Sequence, residues 1–527
     1  MPSDARCGMQ AQLIEAMDST LTELLAAASA DAPALVAPGR VPLSHGSLRA
    51  QVDATLAQLA ALGIGRNDRV AIVLDNGPEM AACFVACACG VASAPLNPAY
   101  REEEFEFYLS DLHAKALVVA RGSTSPAVAV AERLGVRVLD LVVADGAPAG
   151  AFTLEPRQAT QAVQAVPAVQ GGRAHPEDLS MLLHTSGTTS RPKIVPLTQA
   201  NLAASARHIR DTLSFTPRDC GLNIMPLFHI HGLIAGVLAP LAAGSQVFCT
   251  PGFNALRFFA WMDEARPTWY TAVPTMHQAI LARAGKNADV IARHPLRFLR
   301  SSSSSMPPQV IRELEEVFKA PLIEAYGMTE AAHQMASNPL PPRARKPGSV
   351  GFAAGPEIAI MDEAGTLLPP GSVGEIVIRG PNVTAGYENN PKANAEAFVH
   401  GWFRTGDQGT MDAEGYLSLT GRLKEIINRG GEKISPREID EILMDHPAVA
   451  QVVCFGMPHA KLGEEVAAVV VLREGQQADE RALQAFVAGR AADFKVPRKI
   501  LFMAEIPKGA TGKLQRIGLA ARLGLTA

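Results

Sequence analysis

Cysteine is scarce in this sequence, and neither sign of charge dominates it. Seven cysteines are spread over 527 residues, with no pairs at zinc-finger spacing and too few for a disulfide-stapled module. The one cluster, Cys83, Cys87 and Cys89, lies in an Ala-rich apolar stretch without His or acidic neighbours. It reads as buried small hydrophobes rather than as a metal site. An odd, sparse set of thiols fits a reducing compartment. Lys plus Arg total 48 against 52 Asp plus Glu, a formal net charge of −4. That balance offers no broad field for nucleic acid or anionic lipid. Long hydrophobic runs are also missing: Met80 to Leu96 is apolar but marginal against the ~20 residues of a membrane span, so a buried helix and turn is expected there. The segment from Met1 to Arg6 leads into an amphipathic run without a signal-peptide core. The final Gly-Leu-Thr-Ala carries no peroxisomal or prenylation signal. These absences predict a cytoplasmic protein with no membrane span and no nucleic-acid partner.

What is present is ordinary globular material, 48% hydrophobic and 19% charged, with chain enough for three or four domains at ~150 residues each. Short β-branched or apolar runs at 69–74, 116–120 and 136–143 alternate with helical stretches, which argues for α/β layers. Residues 144–174, rich in Ala, Gly, Pro and Gln, read as a surface connection. From about 351 to 421 short strands at Gly/Pro turns mark a β-rich subdomain. After Gly421-Arg422 the pattern resets, with a helix opening at Ser435-Pro436, Ser as N-cap and Pro at the first helical position. Apolar runs at 449–455 and 465–472 and a helix at 479–491 follow. The expected fold is α/β, with α+β parts: a large multi-layer N-terminal domain over 1–422 and a small mobile α+β domain over 423–527.

Five segments could carry chemistry. In Thr185-Ser186-Gly187-Thr188-Thr189-Ser190-Arg191-Pro192-Lys193 an apolar run feeds into hydroxyls, a glycine and a cation. Those groups suit an anionic polyphosphate, but no Walker-type Gly-Lys-Ser/Thr ending follows, and a solvated Ser/Thr turn has the same composition. In Glu324-Ala-Tyr326-Gly327-Met328-Thr329-Glu330, Tyr offers a face for a base, Thr a hydroxyl and Glu330 a hard oxygen of the kind Mg²⁺ takes beside phosphates. An ordinary strand-to-helix turn would look alike. Asp407, after the Gly406 turn, could accept from a ribose diol or be a turn residue. Arg422 to Lys433, with Gly430-Gly431 between charges, suits a hinge or a charged linker. Lys513 in Pro507-Lys-Gly-Ala-Thr-Gly-Lys513 would, alone, be a surface lysine.

In this order and spacing the five segments resemble the AMP-forming acyl-CoA synthetase, luciferase and peptide-synthetase adenylation superfamily, over about Leu56 to Arg516. Pro226-Leu-Phe-His229-Ile-His231-Gly, Ala325-Tyr-Gly-Met-Thr-Glu-Ala-Ala-His333, Ser337-Asn-Pro-Leu-Pro and Asn428-Arg-Gly-Gly-Glu-Lys-Ile-Ser-Pro are most similar to its oxalate–CoA ligase branch. The resemblance implies activation of a carboxylate by MgATP to an acyl-adenylate, then thioester formation with CoA. It implies that Thr185, Ser186, Gly187, Thr188, Thr189 and Lys193 wrap the β- and γ-phosphates. Thr329 would contact the α-phosphate, Glu330 hold Mg²⁺ and Tyr326 stack on adenine. Asp407 and Arg422 would hold the ribose, and Lys513, from the small domain, would bridge carboxylate and α-phosphate. Lys424 matches the hinge, and Gly430 and Gly431 the face turned toward the CoA channel.

The acyl pocket is argued separately. A fatty or aromatic acid wants an apolar lining, whereas this chain has Arg300-Ser-Ser-Ser-Ser-Ser305 and His333. A small dianion such as oxalate needs donors for the carboxylate that is not adenylated. Ser303, His333, His229 and His231 are the candidates. Malonate, or another short dicarboxylate, is the nearest competitor and calls for an arginine in the pocket. Strand alternation does not say which way Arg300 points. A stand-alone enzyme charging a carrier protein is a further alternative, and oligomeric state stays open. Two departures from the superfamily pattern concern the phosphate loop: Ser190 where glycine is common, and β-branched Ile194, which resists φ > 0.

Overall fold

The structure is a computed structural model that describes residues 19–157, 174–185, 192–507 and 516–525. Among the described residues the strands form four sheets. The runs noted in the sequence become Arg69–Val73, Ala116–Ala120 and Arg137–Val142, which with Ala92–Pro95 pair in parallel at the centre of a seven-stranded sheet. Its edges are antiparallel hairpins, Thr153–Pro156 on one side and Leu179–His184 with Ile194–Thr198 on the other. Thr153–Pro156 corrects the expected surface connection over 144–174. Only Leu154 of that strand is buried, so its apolar signal was one residue wide.

A nine-stranded sheet follows the same logic. Cys220–Asn223, Gln246–Cys249, Trp269–Ala272, Phe298–Ser301 and Leu322–Met328 run parallel, and His333–Ser337 turns back antiparallel beside Leu322–Met328. Helices fill the space shared by these two sheets. One hydrophobic cluster joins Val70 and Ile72 of the first sheet to Val247 and Ile323 of the second through the helices Pro78–Ala88, Gln199–Thr212 and His231–Leu238. The small Ala and Cys side chains of Pro78–Ala88 let it be buried on nearly every side. Cys83 and Cys87 pack there and Cys89 just past its end, all buried, and burial pushes the Cys89 thiol up to about 12. Each Val, Leu, Ile or Phe so buried contributes roughly 1.5–3 kcal/mol. Among the described residues no helix is long and apolar enough to cross a membrane.

The third sheet, spanning 357–422, is antiparallel and ends at Arg422. A single 3-10 turn, Leu423–Glu425, separates it from the fourth, which begins at Ile427–Arg429. There Val449–His459 and Gly463–Leu472 form a long hairpin, covered by the helices Pro436–Met444 and Glu480–Ala488 through Ile439, Leu443, Leu483 and Val487. Ser435 stands at the N-cap of the first helix but makes no side-chain cap. Its hydroxyl donates to the carbonyl of Thr420 in the third sheet. The N-cap of the second helix is Asp479, whose carboxylate accepts from Ala482 N at 2.7 Å.

Candidate functional site

The parallel strands end on one side of their sheets, where loops are free to carry ligand groups. Leu179–His184 and Ile194–Thr198 pair antiparallel, with the hydroxyl-rich segment between them in the sequence. Thr185 N donates to the Lys193 carbonyl at 2.9 Å, and Lys193 N to Thr185 Oγ1 at 3.3 Å. These two residues close the base of the loop. Ser186, Gly187, Thr188, Thr189 and Ser190 lie outside the described residues. Ile194 is a buried strand residue opposite His184. Extended backbone suits a β-branched side chain, so this departure from the superfamily pattern puts no strain there.

Tyr326, Asp407 and Arg422 meet although 96 residues of sequence part the first from the last. Asp407 and Arg422 are register partners on antiparallel strands, and Arg422 Nε lies 2.7 Å from Asp407 Oδ1. The Tyr326 hydroxyl donates to Asp407 Oδ2 at 2.5 Å. Burial, with Asp407 beside it, pushes the Tyr326 phenol far above its ordinary range. The carboxylate of Asp407 raises the Arg422 guanidinium. An acceptor beside a permanent donor is the arrangement a sugar diol needs.

Thr329 and Glu330 open the 3-10 turn that follows the strand Leu322–Met328. At Gly327 the strand bulges, and a Cβ there would overlap the His333 carbonyl of the partner strand. Glycine is therefore required for the strands Leu322–Met328 and His333–Ser337 to pair this closely at the bulge. Glu330 is 6% exposed, and its Oε1 accepts from the Tyr387 hydroxyl at 2.8 Å. Burial raises its carboxyl above the usual range, against the Tyr387 hydrogen bond. Lys193 Nζ sits 4.1 Å from the centroid of the Tyr387 ring. Among the described residues no group of three His, Cys, Asp or Glu could hold a metal. One buried carboxylate oxygen suits Mg²⁺, which commonly completes its shell with phosphate and water. Tyr387 was missed by the motif reading, since a lone Tyr in a Gly-Tyr-Glu-Asn turn carries no chemical signature.

The second focus lies at the end of Phe298–Ser301. Arg300 points inward and is fully buried. Its Nη1 donates to His231 Nε2 at 3.3 Å and to Thr271 Oγ1 at 3.4 Å. Its Nη2 donates to His333 Nε2 at 3.2 Å and Gln334 Oε1 at 3.3 Å. The two imidazoles stack, with centroids 4.8 Å apart and planes 16° from parallel. His231 Nε2 also lies 2.7 Å from Thr271 Oγ1, so hydroxyl, imidazole and guanidinium meet at one point. His231 Nδ1 lies 3.0 Å from Ser303 Oγ. Ser303 holds φ +72° and His333 φ +97°, conformations that non-glycine residues adopt rarely outside functional turns. Tyr270 and His277 brace the strand from behind: the Tyr270 hydroxyl is 3.1 Å from His277 Nδ1, and His277 Nε2 is 3.0 Å from the Arg300 carbonyl. Burial alone lowers the Arg300 guanidinium to about 9. Its Nε has no hydrogen-bond partner among the described residues, and no described carboxylate pairs with it. A buried cation without a carboxylate partner is a site for a small anion.

His231, Ser303 and His333 are thus gathered around Arg300. His229 lies two residues before His231, with its ring centroid 4.6 Å from that of Phe228. Lys424 is exposed in the 3-10 turn between the third and fourth sheets. Gly430 and Gly431, at φ +59° and +101°, form the tip of the hairpin Ile427–Arg429 and Glu432–Ile434. Lys513 lies outside the described residues. Three positions later in the sequence, Arg516 pairs with Asp440 and with Glu425 at 3.3 Å.

Comparison with known proteins bears on this geometry. The family model described as AMP-binding enzyme matches residues 23–388, and AMP-binding enzyme C-terminal domain matches 438–513. An oxalate–CoA ligase of Arabidopsis thaliana is 44% identical over 94% of this chain and 97% of its own. An oxalate–CoA ligase of Saccharomyces cerevisiae is 42% identical over 86% of each chain. Among solved structures, ATP-bound MatB from Rhodopseudomonas palustris is similar with a TM-score of 0.84 and 30% identity, over 96% of this chain and 99% of that one.

Proposed function

We propose, from the premise that this chain belongs to the AMP-binding enzyme family, that it activates oxalate with ATP and transfers the oxalyl group to coenzyme A. The observation that carries the substrate is Arg300, a fully buried guanidinium that no described carboxylate meets, held by His231 and His333 and bordered by the Ser303 hydroxyl. Oxalate carries its second charge one bond away from the reacting carboxylate. That charge fits beside Arg300, with His231, His333 and Ser303 around it and His229 on the same turn. The likeness to two oxalate–CoA ligases across most of the chain supports the same reading.

In the first half-reaction a carboxylate oxygen attacks the α-phosphorus of ATP, and pyrophosphate leaves with its bonding electrons. Thr185, Ser186, Gly187, Thr188, Thr189 and Lys193 meet the β- and γ-phosphates, and Thr329 the α-phosphate. Charge builds on the transferring phosphoryl oxygens, where preplaced donors act most strongly. Mg²⁺, held through Glu330, supplies charge neutralisation on the phosphates when bound. Tyr326 offers its face to adenine, and Asp407 with Arg422 holds the ribose. Lys513, from a domain over 423–527, bridges the oxalate carboxylate and the α-phosphate. In the second half-reaction that domain turns about Lys424, Lys513 withdraws, and Gly430-Gly431 borders the path of CoA. The CoA sulfur then attacks the oxalyl carbonyl, forming the thioester and releasing AMP. The free, buried cysteines Cys83, Cys87, Cys89, Cys220, Cys249 and Cys454 support a reducing, cytoplasmic setting.

A second reading, malonate as substrate, gains from the same Arg300, since a longer dicarboxylate also needs a buried cation. Oxalate is favoured because His231 and His333 close on Arg300 from both sides, leaving it a short reach. The test measures pyrophosphate release with oxalate, with and without CoA, and oxalyl-CoA formation when CoA is present. Oxalate-dependent release with a thioester product supports the proposal. Release that depends on malonate alone replaces the substrate, and no CoA thioester from an active adenylating enzyme points to a carrier protein as acceptor.

A further inference from the structure

Tyr387 belongs to none of the motifs, yet its side chain stands between two groups of opposite charge. Its hydroxyl donates to Glu330 Oε1 at 2.8 Å, and its ring lies 4.1 Å from Lys193 Nζ. The backbone around it is tied to the elements that carry both. Thr384 N donates to the Glu330 carbonyl at 2.8 Å, and the Thr384 hydroxyl donates to Pro196 O at 2.8 Å. Glu388 N donates to Ile194 O at 3.0 Å. Asn394 clamps Tyr387 from behind, accepting from its N–H at 2.7 Å and donating to its carbonyl at 2.8 Å. Arg69 pairs with Glu388 at 2.6 Å, both side chains largely buried. Tyr387 therefore cannot shift without moving the strand that follows Lys193 or the turn that holds Glu330.

A buried carboxylate and an ammonium left in contact would pair and cancel, and neither would then be available to a ligand. The tyrosine prevents this without neutralising either group. The ring face attracts the ammonium but leaves its charge in place. The hydroxyl bonds Glu330 Oε1 alone, so the carboxylate keeps acceptor capacity for a cation. We propose that Tyr387 is a positioning residue that holds Lys193 and Glu330 apart, and so sets their fit to the triphosphate and Mg²⁺ of one bound nucleotide. This rests on the reading of Lys193 and Glu330 as MgATP ligands.

The test is calorimetric binding of a non-hydrolysable ATP analogue to the full chain, with and without Mg²⁺, with AMP as control. Tyr387→Phe keeps the ring and loses the hydroxyl. It should weaken the Mg²⁺-analogue complex about tenfold, the effect of one lost hydrogen bond to a charged group, and leave AMP binding unchanged. In turnover the KM for ATP should rise while kcat at saturating ATP and the KM for oxalate stay near wild type. Tyr387→Leu should weaken the analogue further, and more evenly with and without Mg²⁺, because the face under Lys193 is lost. Should that variant fail to fold, Tyr387→Phe decides alone. Wild-type analogue binding by Tyr387→Phe, or an equal loss of AMP binding, overturns the inference. Failure of the wild-type chain to bind the Mg²⁺ analogue at all overturns instead the MgATP reading beneath it.

Discussion

Arg300 brings a charge to a place where no described carboxylate meets it. A cation in that position is costly alone and valuable once an anion arrives. Arg300→Met keeps the bulk and removes the charge, and the second carboxylate of the substrate is then buried unpaired. Breaking one side of a buried pair costs ~3–5 kcal/mol, so kcat/KM for oxalate should fall by about 10²–10⁴, read as pyrophosphate release. Arg300→Lys should recover part of that loss, since a point charge remains while the fork that reaches both histidines does not. The serine run and the two histidines were legible in the sequence. The direction of Arg300 was not, because all four residues of Phe298–Ser301 are buried, so no period of two marks the faces. Tyr387 was illegible for another reason: its meaning lies in what it touches, and its partners stand 57 and 194 positions away.

At the scale of elements, the apolar run leading into the hydroxyl-rich loop was readable, since the segment pairs such a run with turn chemistry. The strand Ile194–Thr198 after the loop was not, nor was the hairpin around Gly430, expected as a hinge or a charged linker. The edge strand Thr153–Pro156 was not, and Ser435 was read as a cap when its hydroxyl instead reaches Thr420. Propensity names a residue's local options, and a nearer acceptor on another element overrides them. That contact joins the third sheet to the fourth beside the Leu423–Glu425 turn, and Glu425 of the turn pairs with Arg516; the proposed rotation would be about this turn. Lys513 belongs to the moving side in the proposed mechanism. Lys513→Ala should slow adenylation by at least about 10²-fold, the usual cost of one transition-state donor, while leaving thioester formation from supplied oxalyl adenylate near wild type. Parallel half-reaction assays read both steps, and an equal loss in both would remove the lysine from its assigned role.

For the whole molecule, buried titratable groups set a pH window. His277, buried, and His208, half-buried, are lowered to about 4 by loss of solvation, below their ordinary 6.5. The unfolded chain binds their protons below pH 6.5 and the native chain does not, so stability falls as pH drops from 6.5 toward 4. Glu324 is pushed up to about 8 from 4.5, chiefly by burial, with the Gly348 N–H and Arg437 opposing and Glu441 and Glu315 adding to the rise. The native chain keeps that proton where the unfolded one has lost it, so this group erodes stability as pH climbs from 4.5 through 8. The two histidines outweigh the one carboxyl below pH 6.5, which places the optimum from these groups near that value. Glu324→Gln keeps an acceptor for Gly348 and cannot ionise. Thermal denaturation should show it melting several degrees above wild type at pH 8 and close to wild type at pH 5.

The layered α/β plan was legible from alternating runs and punctuation. The order of strands was not, because distant segments such as Pro33–Val36 and Gln246–Cys249 pair through contacts that no local pattern encodes. The same holds for charge: a net −4 conceals Arg300, a single cation enclosed where one small dianion can meet it.

That enclosure is tested most directly by the specificity ratio, kcat/KM measured by pyrophosphate release for oxalate, malonate and acetate under identical MgATP and CoA. A site built to hold a second carboxylate rejects an acid that lacks one by about 10⁴ or more, and closure of the two histidines on Arg300 places malonate between the extremes. Oxalate first, malonate second and acetate nearly inert is the expected order. Acetate turned over as well as oxalate would contradict a dianion site at Arg300.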